Sequence, residues 1–297
     1  MQEDNRSQVW IRSLLFAPGN QQRKLQRVFE FGADAVDLDL EDAVPVAEKS
    51  VAREMVRATL LKRGNDDASP LIIVRVNGPG TGLAEADLEA AVQRNVFAIH
   101  LTKLGSIDQV TRLDEMITQL EEERNIPLRS IKLICSVDSA HLALNLQALA
   151  KSSSRLYCWI LGGVDFAQDL GVSLSEDMTE SLWVRSYGVL VSRDAGLAAP
   201  LHPPVIDLND DERLLRVLER GKKLGFQGAV AVHPKQIPLI HRVFSPGAEE
   251  VRWAEKIVQQ FHQSETEGKA ALRVDGHFVD YAVVKTAQRI LSRRDAR

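Results

Sequence analysis

Short apolar runs alternate along this chain with longer segments whose apolar positions recur at helical spacing. The short runs predict strands over 13–16, 35–40, 71–76, 98–103, 131–137, 158–161, 204–208 and 228–232. The amphipathic segments predict helices over 21–31, 46–62, 83–92, 107–123, 140–150, 173–195, 210–224 and 234–243. Eight strands, each followed by a helix and each a continuous apolar run, predict an α/β fold, a parallel (β/α)8 TIM barrel. A doubly wound open sheet is the rival arrangement. The barrel accounts for residues 1–244. Residues 245–297 hold two more helical patterns, 248–263 and 281–291, joined by a loop, and are too short for a core of their own. They are expected as a helical extension that packs on the barrel or on a neighbouring subunit.

Composition narrows the class. A chain of 297 residues that is 44% hydrophobic can bury a substantial core. Its net charge of -4 comes from interspersed acids and bases, which favours neither nucleic acid nor an anionic membrane as partner. Cys135 and Cys158 lie in apolar strand runs and read as reduced thiols of a cytoplasmic protein, with no disulfide framework. No apolar run approaches the roughly 20 residues of a membrane span, and the opening residues lack a signal pattern. In that setting the sequon Asn5-Arg6-Ser7 reads as accidental.

In a barrel of this kind, chemistry sits at the carboxyl ends of the strands. The second predicted strand runs into Asp39, Glu41 and Asp42, the third carries Arg75 and Asn77, and the fourth ends at Lys103. The fifth ends at Asp138, the sixth at Asp165, the seventh at Asp207 and the eighth at His233. Asp37 and Asp39 share one side of their strand, where Arg75 or Lys103 could offset the cost of burying a carboxylate. Asp138 and Asp165 end adjacent strands. Two such carboxylates suit a hard cation such as Mg2+, or else they cap two helices; residue type alone leaves both open. Arg75 follows "LIIV", which points either to an anion at the rim or to a pair with Glu41 or Asp42. The glycine-rich stretch 77–82 lacks the spacing of a phosphate loop and reads as a turn. Lys103 offers a Schiff-base alternative.

With these residues in view, the chain resembles the citrate lyase beta subunit-like family of the HpcH/HpaI aldolase superfamily, which includes malyl-CoA and citramalyl-CoA lyases. "RSLLFAPGNQQRKL" is similar to that family's "RSxLYVPG", "DLDLEDAVPVAEKSVAR" to "DLEDxVxxxxKxxAR", and "VRVNGPGTGLAEADLEA" to its "VRxN" segment. "LTKLGS" stands where "LPKxES" is usual, "VDSAHLALN" where "IETAxGxxN" is usual, and "LGGVDFAQDLG" where "xGxEDxxxDLG" is usual. "LGFQGAVAVHPKQIPLIHRVFSP" follows "GFxGKxxIHPxQxxxxxxxFxP" closely.

The resemblance implies Mg2+ on Asp138 and Asp165, with a CoA thioester as substrate. It implies that Arg75 stabilises an enolate and that Glu41 and Asp42 orient the cation's waters and Arg75. Arg12, Pro18, Gly19, Arg23 and Lys24 are expected to meet the CoA phosphates. Asp280, in "DGHFVD", is expected to serve the active site of an adjacent subunit as acid or base in a homo-oligomer, a trimer or hexamer. The implied activity is carbon–carbon cleavage of a citramalyl-CoA, malyl-CoA or citryl thioester to acetyl-CoA and a keto acid. Six positions depart from the pattern: His202, Pro203 and Pro204 stand where the family more often has Asp and small apolar residues, and three more bear on the chemistry. Asp138 replaces Glu, Gly105 replaces the Glu of "LPKxES", and Val164 replaces the acid before the metal Asp. They leave a degenerate acyl-CoA or organic-acid binding subunit as an alternative.

Overall fold

Leu14, Ala35, Ile73, Ala98, Ile134, Cys158, Leu201 and Val230 pack into one buried cluster, with each residue contributed by a different strand. The structure, a computed structural model, describes residues 9–63, 70–266 and 271–295, so the sequon at Asn5 lies outside the described residues. Its strands close in chain order into a parallel barrel. They are β1 (Ser13–Pro18), β2 (Ala35–Asp39), β3 (Leu71–Arg75), β4 (Ala98–Leu101), β5 (Lys132–Val137), β6 (Leu156–Leu161), β7 (Leu201–His202) and β8 (Gly228–Ala231). The helices are α1 (Gln22–Arg27), α2 (Lys49–Lys62), α3 (Ala84–Ala91), α4 (Asp108–Glu123), α5 (Ala140–Leu144), α6 (Leu146–Lys151), α7 (Val164–Asp169), α8 (Leu182–Asp194), α9 (Asp211–Leu224) and α10 (Ile237–Phe244).

Local chemistry sets the boundaries. Asp210 caps α9 by accepting the Arg213 N–H at 2.8 Å, acids fill the first turn, and Gly225 ends the helix at φ 109°. The largest departure from the predicted strands is β7. Proline lacks an N–H, so Pro203 and Pro204 cannot feed the ladder, and the strand forms upstream at Leu201 and His202, paired with Ile160, Gly228 and Ala229. Asp207 therefore does not end the seventh strand. Of the helix predicted over 173–195 only the later part forms, as α8 from Leu182, and a separate short helix, α7, precedes it directly after Gly163.

The amino-terminal rim is tied by charge. Arg12 donates through its backbone N–H and guanidinium to Asp34 at 2.7–2.9 Å. Arg155, just before β6, is fully buried and reaches Asp114 and Glu121 of α4 at 2.5–2.8 Å. At Asp114 burial works against the charge, but hydrogen bonds from Ser153 and Arg155 win and hold its carboxyl below the usual range. Glu121 is likewise lowered, with Arg155 overcoming the burial effect.

The residues fall into two compact units, Ile11–His241 and the pair of segments 9–10 and 242–295. In the second unit, α11 (Ala248–Thr266) and α12 (Tyr281–Asp295) enclose a hairpin of β9 (Leu272–Val274) and β10 (His277–Val279). Asp275 and Gly276 turn it at φ 51° and 82°, the two positive values that a two-residue hairpin loop requires. Ala254, Ile257, Phe261, Val274, Val279, Val284 and Ala287 bury one another, so this segment has an apolar cluster of its own, contrary to expectation. Among the described residues no helix is long and apolar enough to cross a membrane.

Candidate active site

Alternation along the strands decides which side chains enter the barrel. Above Ala35 come Asp37 and Asp39; above Ile73 comes Arg75; above Ala98 comes His100; above Ile134 come Ser136 and, just past the strand, Asp138. The interior thus changes from apolar to charged over one or two residues per strand. Asp39 faces Arg75 in register and takes it bidentately, Nε at 2.8 Å and Nη2 at 2.5 Å. Glu41 lies 3.1 Å from Nη1. Burial disfavours the charged guanidinium, but its bonds to Asp39 outweigh this and raise its pKa, so Arg75 stays cationic. The two buried aspartates of β2 therefore sit inside the barrel because each has a partner, Arg75 for Asp39 and His100 for Asp37.

The acidic run that follows is held by its backbone. Lys49 Nζ donates to the Leu40 and Glu41 carbonyls at 2.7 Å each, and Asn77 Nδ2 donates to Leu40 at 2.8 Å. Gly19, in the turn after β1, donates its N–H to the Asp39 carbonyl at 2.7 Å, and a Cβ there would fall equally close to that oxygen. Only glycine lets the turn approach. Lys103 bridges the carboxylates, with Nζ 2.5 Å from Glu41 and 2.6 Å from Asp42. Burial lifts the Glu41 carboxyl above its ordinary range against the pull of Arg75 and Lys103, whereas the Lys103 bond takes Asp42 below it.

Lys103 itself has φ 50°, a left-handed conformation uncommon for a side-chain-bearing residue. The bend aims its N–H at Asp138 Oδ2, 2.7 Å away. Burial, opposed by that N–H and reinforced by the charges of Asp165 and Glu41, pushes Asp138 up to about 6. The capping alternative fails for both metal candidates. Ser139, not Asp138, caps α5 through Leu142 N–H at 3.3 Å, and Asp165 is exposed within the first turn of α7, whose cap Gly163 gives no side-chain bond.

Asp39, Glu41, Asp42, Asp138 and Asp165 outnumber Arg75 and Lys103, and Asp138 is raised by burial first, with the charges of Asp165 and Glu41 adding to it. Uncompensated negative charge on hard oxygen donors suits a divalent cation. Among the described residues no group of three or more His, Cys, Asp or Glu side chains could hold an ion, so a cation on Asp138 and Asp165 must complete its shell with water or substrate oxygens.

The other predicted positions divide. Pro18 ends β1 and Gly19 follows it at the carboxyl rim, with Arg23 and Lys24 exposed on α1. Arg12 precedes β1 and is bonded to Asp34 at the opposite rim, which corrects its assignment to the CoA phosphates. Lys103 as a Schiff-base amine is also corrected: burial opposes its charge, but the bonds to Asp42 and Glu41 raise its pKa, and a protonated amine is no nucleophile. His233 accepts from Lys235 N–H at 3.2 Å as a local cap. Asp280, in the other compact unit, caps α12 through the N–H groups of Ala282 and Val283 at 2.9 and 3.1 Å. Sequence reading missed His100 and Ser136. A lone histidine in "AIHL", inward by alternation with Ala98, was the available signal.

Comparison with known proteins agrees with this architecture. Residues 12–234 match the family model HpcH/HpaI aldolase/citrate lyase. The chain is 30% identical to the citrate lyase subunit beta of Leuconostoc mesenteroides subsp. cremoris over 285 residues, covering 96% of this chain and 93% of that protein. It is 30% identical to the mitochondrial citramalyl-CoA lyase of Homo sapiens, covering 93% and 83%. The crystal structure of protein CitE from Mycobacterium tuberculosis in complex with magnesium, acetoacetate and coenzyme A superposes with a TM-score of 0.75 at 26% identity, covering 96% of this chain and 98% of that one. The chain belongs to the HpcH/HpaI aldolase/citrate lyase family.

Proposed function

We infer that this enzyme cleaves a carbon–carbon bond in a 3-hydroxyacyl thioester of CoA, of the citramalyl, malyl or citryl type, to acetyl-CoA and a keto acid. The observation that carries the reading is that two carboxylates, Asp138 and Asp165, stand at the carboxyl ends of β5 and β6 on the same rim as a guanidinium, Arg75, held rigid by Asp39. The magnesium and coenzyme A in the M. tuberculosis complex support the same ligands here.

Asp138 and Asp165 would hold Mg2+, which would supply Lewis acidity to the substrate's 3-hydroxyl. Arg75 is pre-oriented by Asp39 and Glu41, and its remaining N–H groups face the enolate charge that appears as the bond breaks. Glu41 and Asp42, joined by Lys103, fix the water-facing side of the rim. Arg23 and Lys24 offer exposed positive charge to the CoA phosphates, with the Pro18-Gly19 turn shaping the approach. Asp280, contributed by an adjacent subunit of a homo-oligomer, protonates the enolate carbon.

The test is a panel of 3-hydroxyacyl-CoA thioesters assayed for acetyl-CoA and keto-acid release with Mg2+ present. Stoichiometric release of both from at least one thioester is expected. Absence of keto acid across the panel defeats the reading.

A further inference from the structure

Among the described residues two arginines are almost wholly buried, and only one of them is served by the chain. Arg155 gives its N–H groups to Asp114, Glu121, Thr118 and the Ile131 carbonyl. Arg185 of α8, at 1% exposure, has no hydrogen-bond partner at Nε or Nη2, and its Nη1 reaches only the Met178 sulfur at 3.8 Å. Those two unmet donors lie on the same edge of the guanidinium through which Arg75 takes Asp39 bidentately.

The neighbours of Arg185 do not balance its charge. Leu201 belongs to the inner cluster, so His202 points outward from β7, toward α8 and α9. A Cβ placed on Gly221 of α9 would fall 2.8 Å from His202 Cδ2 and 3.7 Å from Arg185 Nη2, and both side chains stand against the Phe226 ring, at 5.6 and 5.2 Å from its centre. His202 Nδ1 lies 2.7 Å from the Pro203 carbonyl oxygen, which only accepts, so Nδ1 carries the proton. Burial, followed by the charge of Arg185, lowers this histidine to about 3 and keeps the ring neutral, and Nε2 has no partner. At Arg185 burial lowers the pKa to about 10, the cation Arg220 adds to that, and Glu180 opposes it with the smallest effect. Glu180 Oε2 is held instead by Ser175. Arg185 thus stays charged at neutral pH. An unpaired buried charge is among the most costly features a fold can keep, and an apolar side chain of similar volume would fill the place without it. The charge calls for a counter-ion from outside the chain.

We propose that Arg185 holds a small inorganic monovalent anion, of the class of chloride, between β7, α8 and α9. One negative charge matches one guanidinium, and the adjacent Nε–H and Nη2–H groups are the pair of donors from which such an ion accepts. Met178, just before α8, covers the guanidinium and is buried, with an unbranched thioether chain that can swing aside to admit the ion. The ion braces the turn that leads to Asp165: a Cβ on Gly162 would lie 3.9 Å from Arg185 Cγ, and Gly162 and Gly163 run directly into α7.

The experiment is thermal unfolding of the full chain as sodium chloride replaces sodium gluconate at fixed ionic strength, which holds screening constant. A saturable rise of about 3 °C or more is expected in the parent, because the ion binds the folded state. Arg185→Met removes the cation and is expected to unfold at one temperature in both salts. His202→Asp sets a carboxylate beside Arg185 and is expected to lose the chloride response as well; Arg185→Met decides alone if that variant does not fold. Crystals of the parent grown in bromide are expected to show an anomalous peak against Arg185 Nε and Nη2. A parent indifferent to chloride, a chloride response that persists in either variant, or bromide absent from Arg185 overturns the proposal and leaves the lyase reading untouched.

Discussion

Arg75→Ala is expected to lower turnover of the cleaved thioester by about a hundred- to a thousandfold, the loss typical when one donor to a developing oxyanion is removed. The same change leaves Asp39, fully buried, without the two bonds that Arg75 gives it. Breaking a buried pair from one side costs about 3–5 kcal/mol, so a fall in melting temperature accompanies the loss of rate. Arg75→Lys separates the two effects. A lysine keeps the charge beside Asp39 but cannot fork to Asp39 and Glu41 together. That variant is expected to recover most of the stability while turnover stays more than about tenfold down, because a mobile point charge is not pre-oriented. Measuring kcat and melting temperature on both variants decides it. Parent-like turnover in Arg75→Lys removes the guanidinium from the chemistry.

The second large effect lies far from the rim. Arg155→Met is expected to destabilise the barrel unit by about 3–5 kcal/mol at neutral pH, read as a lowered urea midpoint. Methionine fills much of the volume, so lost packing is a minor part. What remains is Asp114 and Glu121, both buried, without the cation that served them. The pH dependence follows from the direction of their shifts. Both carboxyls are lowered in the folded protein, so the stability they contribute is complete above the unfolded carboxylate range, about 4, and is lost as pH falls through the folded values. In the variant they lack Arg155 and protonate at higher pH. The stability gap between parent and variant is therefore expected to narrow on acidification below about pH 4. A gap that is small at neutral pH, or that widens in acid, contradicts this account.

The barrel was legible because parallel strands covered on both faces read as apolar runs, and seven of the eight predicted strands overlap the observed ones. The remaining one failed at a defined place. The seventh predicted strand, 204–208, starts on Pro204 directly after Pro203, where two missing N–H groups forbid a ladder, whereas the observed strand is Leu201 and His202 just before them. The stretch that reads as a loop between the last two helices holds a hairpin at Asp275 and Gly276, where Asp-Gly between "LRV" and "HFV" is a strong short-range turn signal.

Site residues were legible where a charge interrupts an apolar strand, as at Asp37, Asp39 and Arg75. Which partner each would take was not, because partners come from neighbouring strands in register. Asp39 with Arg75 follows from that register; Asp37 with His100 spans from β2 to β4 across the interior. Arg12 shows the converse error. Its motif surroundings suggested phosphate, but its place before β1 puts it on the rim opposite the chemistry.

The central claim is that Asp138 and Asp165 together hold the divalent cation on which cleavage depends. Its most direct measurement is acetyl-CoA release from the best thioester of the panel as Mg2+ is titrated, for the parent chain and Asp165→Ala, each repeated in EDTA. The account predicts saturable activation of the parent, silence in EDTA, and at least about a thousandfold loss in Asp165→Ala with an unchanged melting temperature. Equal activity of the two chains, or a parent rate indifferent to EDTA, contradicts it.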